Sequence, residues 1–362
     1  MGSSIWPAVE RGQNYAFAVA WVALLATGIG LSDKPPSFDV PPYLSLAPVG
    51  TASAASPEPP ALPAMKDRPE ALIFVRHEAG EADDTFNHSA RESSWGHHGR
   101  FAAPGNAVRR QVQLRSINPR TAEELAGFFR DVSYTLTDIR QGEAVPPIRL
   151  ERVPVDLGSK DGGERKALFI TALLPVVLEI NQRVLADREQ LLYLREKLRS
   201  RPMSVTAIER IWLEDLAERY DTAVDNIDEL VRRVDIVPPS MAIAQGGVES
   251  GWGTSAAART GNGLFGQIQV VGRPGAGAPQ PFASIGEATN AYIANLNTHR
   301  AYVAFRAARE ALRQRGELLD GYQLIGSLLR YSELGQDYVR FVRQIMREND
   351  LGDFDKARLS SF

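Results

Sequence analysis

Residues 241–267 read MAIAQGGVESGWGTSAAARTGNGLFGQ, and Glu249 is the residue in this run with chemistry to offer. Met241, Ile243, Ala244 and Val248 predict a short, weakly polar helix that carries Glu249 near its C-terminal end. Ser-Gly-Trp-Gly then breaks the helix, and a Gly-Asn-Gly-Leu-Phe-Gly loop follows. Apolar neighbours disfavour a carboxylate and raise its pKa. The negative end of a helix dipole pushes the same way. A glutamic acid that keeps its proton near neutral pH can protonate a leaving oxygen, as cleavage of a glycosidic bond requires. Gly246, Gly247, Gly251 and Gly253 clear side chains from around the carboxyl, so a bulky polymer lying in a trough beside it can approach closely. The same residues also read as a surface glutamate beside a flexible turn, and the local pattern leaves both readings open.

The elements that must hold this segment are helical. Pro238-Pro239-Ser240 punctuates the chain just before it, with Ser240 placed as an N-cap. Upstream, Thr121 with Glu124 forms a capping box ahead of a helix running toward Arg140. Residues 164–198 carry leucines at helical spacing, and Pro175 is expected to kink or divide that helix. Further helices are expected over 205–219 and 222–234, then 286–313 and 319–347, with a Gly/Pro loop at 272–281. No internal repeat of fixed period is present.

Composition narrows the partners. The chain has 362 residues, 44% hydrophobic and 23% charged, with a net charge of −3. That balance gives no electrostatic reason to bind nucleic acid. The absence of cysteine excludes disulfides, thiolate metal sites and cysteine nucleophiles. Residues 15–31 (YAFAVAWVALLATGIGL) form an uncharged run of 17 residues, at the short end of what spans a bilayer. No small-residue cleavage site stands close behind it, so an uncleaved anchor is expected. Nine of the 23 prolines fall in residues 33–64, which reads as an extended spacer. Residues 65–118 are irregular. Within them Val75-Arg76-His77-Glu78 is a short motif without its context. His77, His88, His97 and His98 lack the regular spacing of a metal site, and Arg109, Arg110, Arg115 and Arg120 read as a solvated basic cluster.

The segment from Met241 to Gln267 resembles the active-site region of bacterial β-N-acetylglucosaminidases of glycoside hydrolase family 73, whose pattern is Glu-Ser-x-x-Gly-Thr-Ser…Asn-x-Leu-Phe-Gly. It is most similar to the Bax-type branch, on Pro238, Pro239, Ser240, Ala244, Gln245, Glu249, Ser250, Gly251, Trp252, Gly253, Thr254 and Ser255. Gly261, Asn262, Leu264, Phe265, Gly266 and Gln267 continue the match. The resemblance covers roughly residues 121–349, and Glu179, Asn181 and Arg188 match polar positions of that branch. It implies a mainly α, lysozyme-like helical domain that cleaves N-acetylglucosamine-β-1,4-N-acetylmuramic acid bonds in peptidoglycan glycan strands, without metal or cofactor. Glu249 falls on the family's catalytic acid. Glu287, in Ser-Ile-Gly-Glu, falls where relatives place a second carboxylate, and its position also suits a first-turn acid. The family's tyrosine element falls on residues 331–338 but is altered and one residue longer; Tyr331 is the first choice for the catalytic phenol. Substrate contacts carry over to Gln245, Ser250, Trp252, Thr254, Asn262, Phe265, Gln267, Tyr292 and Tyr338.

The expected organisation is a short segment over 1–14, a transmembrane anchor over 15–32, a linker over 33–118 and a catalytic domain over 119–362. The anchor would sit once through a bacterial inner membrane, with the catalytic domain in the periplasm. Two other functions fit the same residues: a lytic transglycosylase forming 1,6-anhydro ends, and a non-catalytic wall-binding scaffold. Carboxylate spacing separates the stereochemical routes: about 6.5–9.5 Å for inversion, about 5–5.5 Å for a covalent intermediate. Attack by the substrate's own N-acetyl group needs no protein nucleophile.

Overall fold

The computed structural model describes residues 16–17, 114–270 and 277–360. The Pro-rich tract, the histidine group and all but two residues of the expected anchor lie outside them. Ala16–Phe17 (β1) pairs antiparallel with a strand described below. The remainder is mainly helical, as expected.

Arg115–Ile117 (β2) precedes Ala122–Asp131 (α1), whose N-cap Thr121 accepts from the Glu124 N–H. The Glu124 carboxylate turns back to the Arg120 N–H at 2.7 Å, so this box closes one residue earlier than the spacing predicts. The helix expected to reach Arg140 breaks at Ser133, whose φ is 51°, and restarts as Leu136–Arg140 (α2) on a Thr135 cap. Ile148–Leu150 (β3) pairs in parallel with β2.

Gly162–Ser200 (α3) is 39 residues long and contains Pro175, so of the kink or division expected there the division does not occur. Proline removes one backbone donor. Its neighbours Leu173, Leu174, Val176 and Val177 are each at most 1% exposed, and their packing holds the helix together. By length and composition α3 is apolar enough to cross a membrane, yet its apolar window is 78% buried inside the fold, which marks it as a core helix.

Ala207–Arg219 (α4) closes a full capping box on Thr206 and Glu209, and Ile227–Arg233 (α5) follows. Pro239–Ser250 (α6) carries Glu249. Its N-cap is Pro238, with Pro239 in the first position, where the missing donor does no harm. Ser240 therefore sits at the second helical position, not at the cap. Its N–H and hydroxyl both donate to Asp355, each at 2.8 Å, and Asp355 also accepts from the Gly321 N–H at 3.0 Å. Burial raises the Asp355 carboxyl to about 6.

Ala256–Gly261 (α7) leads to Gln267–Val270 (β4), which pairs antiparallel with β1 and with Gly277–Pro279 (β5). The helix expected over 286–313 is two: Ile285–Thr298 (α8) and Val303–Gln314 (α9), parted by a 3-10 turn at Arg300–Tyr302. Gly321–Leu324 (α10) and Gln336–Glu348 (α11) likewise divide the last expected helix. The 3-10 turn Leu351–Lys356, which bears Asp355, packs on α6. One apolar core runs through these helices, and α6 is its centre: Met241, Ala242, Ile243 and Ala244 are fully buried.

Candidate active site

Glycine-rich sequence ends α6 by force of backbone geometry. Gly251, Trp252 and Gly253 all have positive φ, at 58°, 58° and 81°. For Trp252 this is the left-handed region that L side chains disfavour, and its packing sustains it. The indole lies over Gly247, where an added Cβ would come within 2.9 Å of the ring. It also meets the Phe169 ring edge-on at 5.7 Å. The Ser250 hydroxyl donates to the Gly246 carbonyl and accepts from the Gly253 N–H, and the Thr254 hydroxyl donates to the Gly251 carbonyl. In this arrangement Ser250, Trp252 and Thr254 shape the turn that aims Glu249.

Glu249 itself is 2% exposed. Burial raises its carboxyl to about 8, against the opposing pull of a hydrogen bond from Tyr338. That bond runs from the Tyr338 hydroxyl to Oε1 at 2.9 Å. Oε2 is buried and has no hydrogen-bond partner among the described residues. Behind Tyr338 the chain of bonds continues. Gln245 Nε2 donates to the Tyr338 oxygen at 3.0 Å, and the Tyr292 hydroxyl donates to Gln245 Oε1 at 2.7 Å. Phe265 stacks on Tyr292 with ring centres 4.2 Å apart, and Tyr331 stacks on Tyr338 at 5.5 Å. Burial pushes the Tyr292, Tyr331 and Tyr338 phenols well above their ordinary value, so all three are neutral donors at any working pH.

The structure thus gathers Gln245, Glu249, Phe265, Tyr292, Tyr331 and Tyr338 in one buried cluster. Within it the phenol on the acid is Tyr338, not the first-choice Tyr331, whose hydroxyl donates to the Phe265 carbonyl at 3.1 Å. Glu287 serves as a helix cap: its carboxylate accepts from the Ala283 N–H at 2.7 Å, and its own N–H donates to Ser284. Asn262 is the left-handed C-cap of α7, its side chain donating to the Phe282 carbonyl. Gln267 is 2% exposed and both its polar atoms lack partners among the described residues. Glu249 is sealed from solvent, so among the described residues no open trough of the kind expected beside residue 249 reaches its carboxyl.

The sequence reading missed Tyr302 and Asn295. Tyr302, 4% exposed, has its ring centre 6.1 Å from that of Tyr331, and burial raises its phenol. Asn295, 3% exposed, lies one turn beyond Tyr292 on α8. That i, i+3 spacing from Tyr292 was the available signal. Two of the three polar positions on α3 brace the segment leading into α6, and the third ties α3 to β3. Asn181 exchanges hydrogen bonds with the Val237 N–H and carbonyl, Arg188 donates to the Val231 and Val234 carbonyls, and Glu179 pairs with Arg149. No group of three metal-ligating side chains occurs among the described residues.

Comparison with known proteins gives a family match over the segment that holds this cluster. Residues 224–351 match the family model described as mannosyl-glycoprotein endo-beta-N-acetylglucosaminidase, a span that contains Glu249, Glu287, Tyr331 and Tyr338. The chain is 34% identical over 200 residues to Protein bax of Escherichia coli (strain K12), covering 52% of this chain and 71% of that protein. No solved structure matches the chain. On the identity and coverage of that relative, joined to the family match over the site, the chain belongs to the Bax-type glucosaminidase family.

Proposed function

We propose that this protein is a peptidoglycan hydrolase of lysozyme-like fold that cuts N-acetylglucosamine-β-1,4-N-acetylmuramic acid bonds, with Glu249 as general acid. The observation that carries this reading is the state of the Glu249 carboxyl. Burial raises it to about 8, so at neutral pH it holds a proton, with one oxygen accepting from Tyr338 and the other unpartnered among the described residues. Such a group donates a proton to a glycosidic oxygen as the bond to C1 breaks. Because Oε2 is sealed, the packing over it has to open before a glycan can reach the proton. Gln267, with two unpartnered polar atoms near the end of the same loop, is proposed to meet the sugar's acetamido group once the site opens.

Purified peptidoglycan tests this directly. Glu249→Gln is expected to release reducing ends about 100-fold more slowly than the unmodified protein, or slower still. Equal rates would remove Glu249 as the acid, and binding without release by both proteins would favour a wall-binding scaffold.

One observation favours a second reading. Among the described residues, Tyr338 is the one side chain that shifts the Glu249 carboxyl, and the Glu287 carboxylate accepts a backbone bond at the start of α8. A site with one acid suits intramolecular attack by the substrate, either by the N-acetyl group or, in a lytic transglycosylase, by the 6-hydroxyl. Mass spectrometry of the fragments separates them, since 1,6-anhydro ends arise only from the second route. The apolar run over residues 15–31 supports placing the protein once through a bacterial inner membrane with the catalytic domain over 119–362 in the periplasm. Recovery of the full chain in the soluble fraction of disrupted cells would contradict that placement.

A further inference from the structure

We propose that Gln245 is a positioning residue: its carboxamide fixes the direction of the hydrogen-bond chain Tyr292–Gln245–Tyr338–Glu249, and so leaves the acid proton on Oε2 of Glu249. This rests on the reading of Glu249 as the acid. A substrate contact, the role carried over to Gln245 from relatives, does not fit its surroundings. Gln245 is fully buried, and the two ends of its amide are taken by Tyr292 and Tyr338.

The chemistry of the three groups sets the direction. A phenol both donates and accepts through one atom, whereas a carboxamide has one end that only donates and one that only accepts. In a chain of two phenols and one amide, the amide decides which way the protons point. Oε1 of Gln245 accepts from Tyr292, so Nε2 faces Tyr338 and donates to it. The single Tyr338 proton then goes to Oε1 of Glu249. A carboxyl group that accepts on Oε1 carries its own proton on Oε2, the unpartnered atom. With the amide reversed, Tyr338 would donate to Gln245, and the carboxyl proton would turn toward Tyr338, away from any glycan. Gln245 and Glu249 stand four residues apart on α6 and share a face. The stacked pairs Phe265–Tyr292 and Tyr331–Tyr338 hold the two phenols in place.

The other titratable groups around α6 leave this direction undisturbed. Tyr292 from α8, Tyr302 from the turn after it, and Tyr331 and Tyr338 from the last part of the chain are all neutral phenols pushed up by burial. From α3, Lys166 lies over the Trp252 ring, and Asp355 is held by Ser240 at the opposite end of α6.

The test uses the full chain with Gln245→Met, Tyr338→Phe and the double variant. It follows hydrolysis of solubilised peptidoglycan across pH and, separately, stability to urea across pH. The bond from Tyr338 favours the ionised carboxylate, so the Glu249 pKa rises when that bond is lost in Tyr338→Phe, or when Gln245→Met removes the donor that keeps the Tyr338 proton on Oε1. Both single variants are therefore expected to move the alkaline limb of kcat/KM to higher pH by roughly half a unit to one unit. The kcat plateau should fall about tenfold with KM within about twofold. The double variant should move the limb no further than Tyr338→Phe alone, because Gln245 reaches Glu249 only through the Tyr338 hydroxyl. Should Gln245→Met fail to fold, the near-isosteric Gln245→Glu replaces the donor with an acceptor and is expected to shift the limb the same way. An alkaline limb that stays at the wild-type pH in the Gln245 variants overturns the proposal. If the unmodified protein cleaves no peptidoglycan at any pH, the functional reading fails instead. The positioning role is then decided by stability, whose decline with pH must still move upward in the Gln245 variants.

Discussion

The Tyr338 hydroxyl lies 2.9 Å from Oε1 of Glu249, across 89 residues of sequence. Two effects oppose each other at this contact. Removing the carboxyl from water favours its neutral form, while a donated hydrogen bond favours the ionised form. Burial wins, and the carboxyl rises to about 8. The phenol trims the shift and fixes which oxygen faces it, so the pair yields a group that is protonated at neutral pH and oriented.

Stability should record this proton. The folded value, about 8, lies above the ordinary 4.5, so Glu249 contributes stability that is fully present below pH 4.5 and lost as pH rises through 8. Urea denaturation of the unmodified protein and Glu249→Gln is expected to show it. The gap between them should change by on the order of 4 kcal/mol across that window, the unmodified protein losing ground as pH rises.

Gly247→Ala tests the floor under the turn. Alanine gains about 1 kcal/mol of helix preference over glycine. Here the new Cβ would lie 2.9 Å from the Trp252 ring, which is braced against Phe169 and cannot swing aside freely. Overpacking of this kind costs about 1–3 kcal/mol. A net loss of about 1 kcal/mol is expected in denaturant titrations, with a larger relative loss of activity because the displaced turn follows Glu249 directly.

Asp355→Asn should loosen α6 from the other end. The carboxylate accepts from the Ser240 N–H, the Ser240 hydroxyl and the Gly321 N–H, and an amide keeps only one accepting oxygen. Calorimetry is expected to show a loss of about 1–3 kcal/mol. The Asp355 carboxyl, raised to about 6 from 3.8, adds its own dependence, with stability lost as pH rises from about 3.8 through 6.

Glu287→Gln separates a cap from a catalyst. With the carboxylate on the Ala283 N–H, glutamine still accepts that bond, and hydrolysis is expected to stay within about threefold of the unmodified protein. A fall of about 100-fold in kcat would give Glu287 a place in the chemistry.

Local sequence carried much of the site. Glu249 at the end of a helix, and the Gly-Trp-Gly turn after it, follow from neighbours within a few residues, and both stand where the spacing puts them. What the sequence hid depends on distant partners. Ser240 reads as an N-cap because the Asp355 carboxylate that takes its donors lies 115 residues away. Tyr338 displaces Tyr331 because Gly335, with a φ of 50°, turns the chain just before α11 and brings the second phenol, not the first, onto the acid. Gln245 looks free to bind a ligand until both ends of its amide are found occupied.

Carbon-13 NMR of the glutamate side-chain carboxyls reaches the central claim most directly, with the Glu249 signal assigned by its absence in Glu249→Gln. A titration midpoint near 8 is the expected result. A midpoint at or below the ordinary 4.5 would mean the carboxyl is ionised at neutral pH, with no proton to give to a glycosidic oxygen.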